Sequence, residues 1–537
     1  MWDFVDGEAQ VWNIIRIFVA SILLPLNIFA MKKLFLSAMM AMSLAFAAEA
    51  QLLRTTVAQG EIEGVLHEGH ALYKRIPYAE APVGELRWKA PVSKSPWEGV
   101  YKADEWGARP PQSAQGGNYE GMSEDCLYLS VETPAKSKDE RLPVFVMIHG
   151  GAFSSGSYAG TQESFVNEGI VYVSIEYRLG ALGFMVHPDL SKESERGISG
   201  NYGLMDQIMA LQWIHDNIAA FGGDPDKVTI AGESAGGISV SILCASPLCK
   251  GLFRGAISES GGSFWPVAET RGGNTGMCTV KASEPEGVAF QKKLKAKNLK
   301  KLRKVPFQAI VDSTQGLFWP VVDGYVITDD QYKLYQKGEY NDVNVIIGTN
   351  SDEGSMFAGP MPVEVFQQQV KAAYGEWADK VLEAYPATNE MEVYFAASDI
   401  FRDGSFAWGT YAWGNLQSKT GKGNVYMYYF DQNSENTIVP SRRGGASHVA
   451  EMPFIYGYKF GSGKMTETEN HMLSIMSKYW INFTKTGNPN GDCLPYWTEY
   501  AEGKPTVMII KEGFHLGPVQ NQKQMDLFEG FFGSKRK

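Results

Sequence analysis

Gly232-Glu233-Ser234-Ala235-Gly236 decides how the rest of the chain is read. Before it runs Val228-Thr229-Ile230-Ala231, short, apolar and β-branched, the composition of a buried strand. After it comes Gly237-Ile238-Ser239-Val240-Ser241-Ile242-Leu243, which can wind into a helix. The pentapeptide is then the turn between the two. Its flanking glycines let strand and helix pass close together, which forces the serine into a tight conformation with its hydroxyl at the tip. The N–H groups that open the helix point the same way and favour negative charge developing there. A G-x-S-x-G alone is a weak signal in a chain with 57 glycines among 537 residues, and the strand-turn-helix context gives it weight.

The neighbouring segments repeat this pattern. Residues 144–148 (VFVMI) form a continuous apolar run, as expected of a strand covered on both faces. Directly after it stands His149-Gly150-Gly151-Ala152-Phe153-Ser154-Ser155-Gly156. A glycine-rich loop at a strand's C-terminal end can turn successive N–H groups toward one point. Residues 171–177 read as another buried strand. Residues 205–221 read as an amphipathic helix that ends at Gly222-Gly223, and Asp224-Pro225 turns the chain into the elbow strand. Residues 256–258, 343–347, 425–429 and 506–510 are further strand candidates. Upstream, Gly60-Glu61-Ile62-Glu63-Gly64 suggests a hairpin, 75–84 a proline-rich loop, and 123–131 an alternating strand. The fold class is therefore α/β, a large and mostly parallel central sheet with helices on both faces and helical insertions. No repeat or linker divides it, and residues 51–537 read as one large domain.

The N-terminus reads as a targeting segment. In residues 31–50, Lys32 and Lys33 form a basic region, 34–47 an apolar one, and Ala48-Glu49-Ala50 a cleavage site. Cleavage after Ala50 leaves Gln51 first and sends the protein to the periplasm or the exterior. Residues 1–30 precede a better start and read as an extension upstream of the native protein. Residues 11–30 are fairly apolar, but Asn13, Arg16, Pro25 and Asn27 interrupt them, so no stable membrane anchor is expected.

The net charge of −11 and a pI near 5.4 argue against a nucleic-acid partner. No basic stripe, zinc-ligand spacing or Walker-type loop stands out, so neither metal nor cofactor is expected. His67-Glu68-Gly69-His70 is an H-x-x-H that reads as a surface loop. Five cysteines (Cys126, Cys244, Cys249, Cys278, Cys493) leave at least one thiol unpaired, and the short Cys244–Cys249 spacing proves no bridge.

Candidates to serve Ser234 are several. Glu353 follows the apolar strand 343–347, at the end of a sheet where such folds bind ligands, with Asp352 and Asp399 as rivals. Among the histidines, His149 lies in the glycine-rich loop, His215 on a helix and His448 in a loop after a late strand.

From about Gly60 to Pro505 the chain resembles the type-B carboxylesterases of the α/β-hydrolase fold, the group that includes cholinesterases. The resemblance is carried by VTIAGESAGG (228–237), EDCLYLSVETP (124–134), RIPYAEAPVGELRW, NYGLMDQIMALQWIHDNIAAFGGDP and WINFTKTGNPN. It implies a serine carboxylic-ester hydrolase working through an acyl-enzyme, without metal or organic cofactor. By that resemblance Ser234 is the nucleophile, Glu353 (in GTNSDEG) the acid and His448 (in GASHVAE) the base, in the chain order expected of the fold. Gly151, Ala152 and Ala235 match the oxyanion-hole donors. Phe264, Trp265, Phe318 and Trp319 fall in segments that line the acyl side of the family's pocket, where aromatics suit an aryl acyl group if they are not simply core. Glu233, beside the nucleophile, either shapes the field there or packs the elbow. Two departures stand out. Pro110-Pro111 occupies the place of a cysteine that in the family bridges to the one at Cys126, and Ser130 replaces a common Asn.

The expected partner is a small-molecule or carbohydrate-linked ester. Alternatives are a feruloyl, hydroxycinnamoyl or acetyl esterase of plant polysaccharide, an amide hydrolase using the same site, or a non-catalytic adhesion homologue. All three triad positions are filled, which weighs against the last. Oligomeric state is not legible.

Overall fold

The structure is a computed structural model that describes residues 52–114, 117–157, 160–269, 276–314, 318–441, 443–460 and 465–536. The readings placed on residues 1–50, an upstream extension and a cleaved leader, lie outside these.

Eleven strands form one sheet. In chain order they are β1 (Val65–His67), β2 (His70–Pro77), β3 (Tyr128–Thr133), β4 (Leu142–Ile148), β5 (Val171–Ile175), β6 (Gly223–Glu233), β7 (Gly255–Glu259), β8 (Asn344–Asn350), β9 (Val425–Phe430), β10 (Thr506–Ile510) and β11 (Phe514–Pro518). Across the sheet the order is β1-β2-β3-β5-β4-β6-β7-β8-β9-β10-β11. Every neighbouring pair from β5 to β10 is parallel, and the outer pairs are antiparallel.

Parallel neighbours need crossover connections, which place helices over both faces. Strand residues therefore alternate between two cores. Val144, Val146 and Ile148 of β4 face one core with Ile238, Val240 and Leu243 of α2 (Ala235–Ala245), which follows α1 (Tyr202–Asn217). Phe145 and Met147 face the other, with Met476, Trp480 and Phe483 of α5 (Glu467–Thr486). Between these come α3 (Glu390–Arg402) and α4 (Trp408–Thr420). Two-sided burial explains the unbroken apolar runs, since each fully buried Val, Ile or Phe contributes about 1.5–3 kcal/mol over exposure. The long α5 is framed locally by a capping box, Thr466 with Glu469, and by Gly487 at φ +78°.

Some local expectations shift. Gly60–Glu63 is a strand whose hairpin partner is Arg54–Val57, so the turn lies one step earlier, at Ala58-Gln59. The strand expected over 123–131 begins only at Tyr128, because Arg87 Nε donates to Glu124 Oε1 at 2.6 Å and pins the preceding segment as loop. That strand does not alternate in exposure, being covered on both faces. His67 and His70 end and begin the strands of the β1–β2 hairpin, with Glu68 and Gly69 at its turn. None of the five cysteines is bridged: Cys126, Cys244, Cys249 and Cys278 are buried and Cys493 is exposed. Among the described residues no helix is long and apolar enough to cross a membrane.

Candidate active site

The elbow, the glycine-rich loop and the two loops bearing Glu353 and His448 all leave the C-terminal ends of parallel strands, β6, β4, β8 and β9. At the elbow Ser234 has φ +58° and ψ −123°, between the last residue of β6 and the first of α2. Such a conformation costs a non-glycine residue about 1–3 kcal/mol. It is held by hydrogen bonds from Ser234 N–H to the Glu259 carbonyl at 2.9 Å and from Ile238 N–H to the Ser234 carbonyl at 2.8 Å. A side chain at Gly236 would overlap the Ile148 carbonyl, and one at Gly150 would lie 3.2 Å from Ser234 Cβ. These two positions let the glycine-rich loop close down on the serine.

In that loop Gly151, Ala152 and Phe153 all have positive φ, +101°, +53° and +55°. The Gly151 carbonyl accepts from the N–H groups of Ser154 (3.0 Å) and Ser155 (2.9 Å), which folds the loop back on itself. Among the described residues the N–H groups of Gly151 and Ala152 find no protein acceptor. The N–H of Ala235, first in α2, has no intrahelical acceptor either. His149 is buried, stacks on Tyr177 at 4.3 Å, and sets its Nδ1 2.8 Å from the Gly150 carbonyl. Burial lowers it to about 4, so this imidazole is neutral. Gln112 bonds Gly156 in both directions, Nε2 to the carbonyl at 2.7 Å and Oε1 from the N–H at 2.9 Å. This clamp ties the Pro110-Pro111 segment to the loop while Cys126 stays unbridged. The other departure, Ser130, shares a buried 2.7 Å hydroxyl pair with Ser174.

Glu353 and His448 meet across 95 residues, with His448 Nδ1 2.6 Å from Glu353 Oε2. Glu353 Oε1 accepts from the Ser260 hydroxyl at 2.5 Å and from the Asn350 N–H at 2.7 Å. Asp352, the neighbouring rival, faces away. It receives Ser398 Oγ at 3.1 Å and Arg443 Nη2 at 3.1 Å, and Arg443 also binds the other rival, Asp399.

The far nitrogen of His448 gives the arrangement its tension. Nε2 lies 3.2 Å from Glu233 Oε1, near enough for an ion pair but not aligned as a hydrogen bond. Ser234 Oγ makes no hydrogen bond among the described residues, so the structure joins Glu353 to His448 but does not join His448 to Ser234. Burial disfavours the imidazolium, yet Glu233 and Glu353 outweigh it and raise His448 to about 9. Burial pushes the Glu233 carboxyl up to about 8 and that of Glu451 to about 7. Burial also pushes Glu259 well above the usual carboxylate range, although its Oε1 accepts from Tyr456 Oη at 2.8 Å and Trp480 Nε1 at 2.7 Å.

The aromatic candidates separate. Trp265 Nε1 donates to the Gly404 carbonyl at 2.8 Å, in the turn that carries Phe406, whose ring stacks on His448 at 4.8 Å. Trp319 packs edge-on against Phe153 at 4.9 Å, beside the glycine-rich loop. Phe264 and Phe318 are core instead, the first against Tyr335 and Trp413 and the second against Phe290. Sequence reasoning missed Phe357 and Phe406. Phe357 is 47% exposed, 5.3 Å from His448, and stacked on Phe401 at 4.6 Å. Its signal was an aromatic four residues after Glu353 in the same loop. Among the described residues no His, Cys, Asp and Glu group is arranged to hold a metal ion.

A strained serine, unpaired N–H groups and an imidazole oriented by a carboxylate together suit acyl transfer. Residues 51–528 match the carboxylesterase family. The chain belongs to that family. It is 32% identical over 501 residues to the para-nitrobenzyl esterase of Bacillus subtilis, covering 88% of this chain and 98% of the relative. It is 32% identical over 481 residues to the fumonisin B1 esterase of Sphingopyxis macrogoltabida, covering 84% and 85%. A solved structure of a PNB esterase superposes with a TM-score of 0.76 at 30% identity, covering 88% of this chain and 99% of the other. This carboxylesterase has the α/β-hydrolase fold and is a carboxylic ester hydrolase.

Proposed function

We propose that this enzyme hydrolyses small or aryl carboxylic esters through an acyl-enzyme on Ser234. The bond between His448 Nδ1 and Glu353 Oε2, 2.6 Å, carries the proposal, because it leaves Nε2 as the nitrogen that serves the nucleophile. Neutral His448 takes the Ser234 proton on Nε2 as Oγ attacks the ester carbonyl. The oxyanion that forms is met by the N–H groups of Gly151, Ala152 and Ala235. Its collapse expels the alcohol, which receives the proton from His448. Water then repeats the sequence and releases the acid and Ser234. For the first step Nε2 must turn from Glu233 to the serine. Glu233 stays close enough to stabilise the imidazolium that attack creates.

The rings of Phe406 and Phe357 against His448 favour an aryl group on the substrate. Hydroxycinnamoyl or acetyl groups on plant polysaccharide are within that chemistry. The leader at 31–50 supports export. Fluorophosphonate treatment followed by peptide mapping tests the mechanism, since the adduct belongs on Ser234. A panel of p-nitrophenyl esters of rising length, methyl ferulate and acetylated xylan tests the substrate class. N-terminal sequencing of exported protein tests the cleavage site, with Gln51 expected first.

A further inference from the structure

The acidic total hides a local inversion of charge. Residues 292–304 read KKLKAKNLKKLRK, seven lysines and one arginine in thirteen positions. The expectation that no basic stripe is present is therefore corrected. The run begins at the C-terminal end of the helix Val280–Lys293 and continues through the short helix Leu299–Leu302. It is compact, with Lys295 N–H bonded to the Lys292 carbonyl at 2.9 Å and Lys304 N–H to the Lys301 carbonyl at 3.1 Å. Leu299 and Leu302 turn inward, and all seven lysines are exposed.

Ordinary structural roles account for part of the run. Lys292 and Lys293 sit in the last turn of their helix, where cations are favoured. Arg303 is buried, pairs with Glu193 at 2.7 Å and donates to the Arg87 carbonyl at 3.1 Å. None of the seven lysines forms an ion pair with a described residue. From Gly287 to Val311 the chain carries no acid. Charges this close lie within about one screening length of each other at 0.1 M salt and repel. The helix end favours Lys292 and Lys293, and Lys293 Nζ donates to the Ser313 carbonyl at 2.7 Å, but among the described residues no carboxylate pairs with any of the seven.

Buried rings link the run's helix to the glycine-rich loop. Phe290 of the same helix packs on Phe318 at 5.2 Å, and the next residue, Trp319, packs on Phe153 of the glycine-rich loop at 4.9 Å.

We infer that residues 292–304 form a docking surface for an anionic polysaccharide, a polymer carrying sugar carboxylates. The chemistry of the patch selects among polyanions. Its one arginine is already engaged, so the run binds through ammonium point charges and offers no planar fork. No large apolar side chain in the run is exposed, so it has no wedge for a bilayer and no platform for bases. Lysines are point charges on flexible stems and suit carboxylates strung along a chain. The choice of polysaccharide rests on the proposed action upon esters outside the cell, but binding is measured without turnover, so either can fail alone.

The test uses the full chain carrying Ser234→Ala on immobilised polygalacturonate, against neutral xylan, duplex DNA and anionic phosphatidylglycerol vesicles. Salt-sensitive retention on polygalacturonate is expected, weakened about tenfold or more by K295Q/K297Q/K300Q/K301Q and restored by Arg at the same four positions. With Ser234 intact, the Gln variant should turn over p-nitrophenyl acetate like the parent, which shows that it is folded. Equal retention of parent and Gln variant overturns the inference. So does binding to xylan, DNA or vesicles as strong as to polygalacturonate.

Discussion

Replacing Glu233 by Gln tests whether the resting histidine is held by two carboxylates. His448 Nε2 and Glu233 Oε1 are 3.2 Å apart. Coulomb's law at that distance, with an effective dielectric constant of about 20, gives about 5 kcal/mol. This is an upper bound, because burial pushes Glu233 up to about 8 and it is mostly protonated near pH 7. A quarter of the bound still moves the imidazole by about one pH unit. The sign follows from the charge. Glu233 favours the imidazolium, so its loss lowers His448 from about 9. A general base works only when neutral, so the parent's kcat/KM should rise with pH up to that region. In Glu233→Gln the acid limb should begin about one pH unit or more lower. The high-pH plateau should fall, because the imidazolium formed during attack has lost a partner. The assay is kcat/KM for p-nitrophenyl acetate from pH 5 to 10, with folding checked by circular dichroism at each end. An acid limb that stays in place, or moves up, refutes the reasoning.

Ser234→Ala should lower kcat by about 10⁴-fold or more and abolish fluorophosphonate labelling, read by single-turnover assay and mass spectrometry. Ser260→Ala removes a 2.5 Å donor from the buried Glu353 and should cost about 1–3 kcal/mol in urea unfolding. Gly236→Ala sets a methyl group against the Ile148 carbonyl and should destabilise by about 1–3 kcal/mol or more, with activity lost along with the elbow. Phe357→Ala should raise KM for phenyl esters over methyl esters of the same acid, because a half-exposed ring beside His448 is removed while the triad is left intact.

What could be read in the sequence divides by the range of the interaction. The elbow was legible because its constraint is local, with glycines at fixed offsets bounding one strained residue. The two-faced strands were legible because burial on both sides removes alternation. His448 and Glu353 were not legible from spacing, since the bond between them spans 95 residues and Asp352 is an equal candidate in one dimension. Resemblance chose between them, and the structure turns Asp352 toward Arg443 and Ser398. Phe264 and Trp265 are chain neighbours, but one ring faces Tyr335 and the other Gly404, a divergence that no composition reveals. The lysine run was in plain view and was averaged away by a net charge of −11.

Least legible were the acids. Glu233, Glu353 and Glu451 are brought to one imidazole by β6 and the loops after β8 and β9, and Glu259 at the end of β7 lies in the field of Glu233 and Glu451. One positive charge cannot balance four negative ones in a medium that solvates ions poorly. Burial raises Glu233, Glu259 and Glu451, so these carboxyls keep protons that surface glutamates lose. The site is therefore less negative than its residues suggest. A proton passed between Glu233 and His448, 3.2 Å apart, changes the imidazole's charge without altering the backbone.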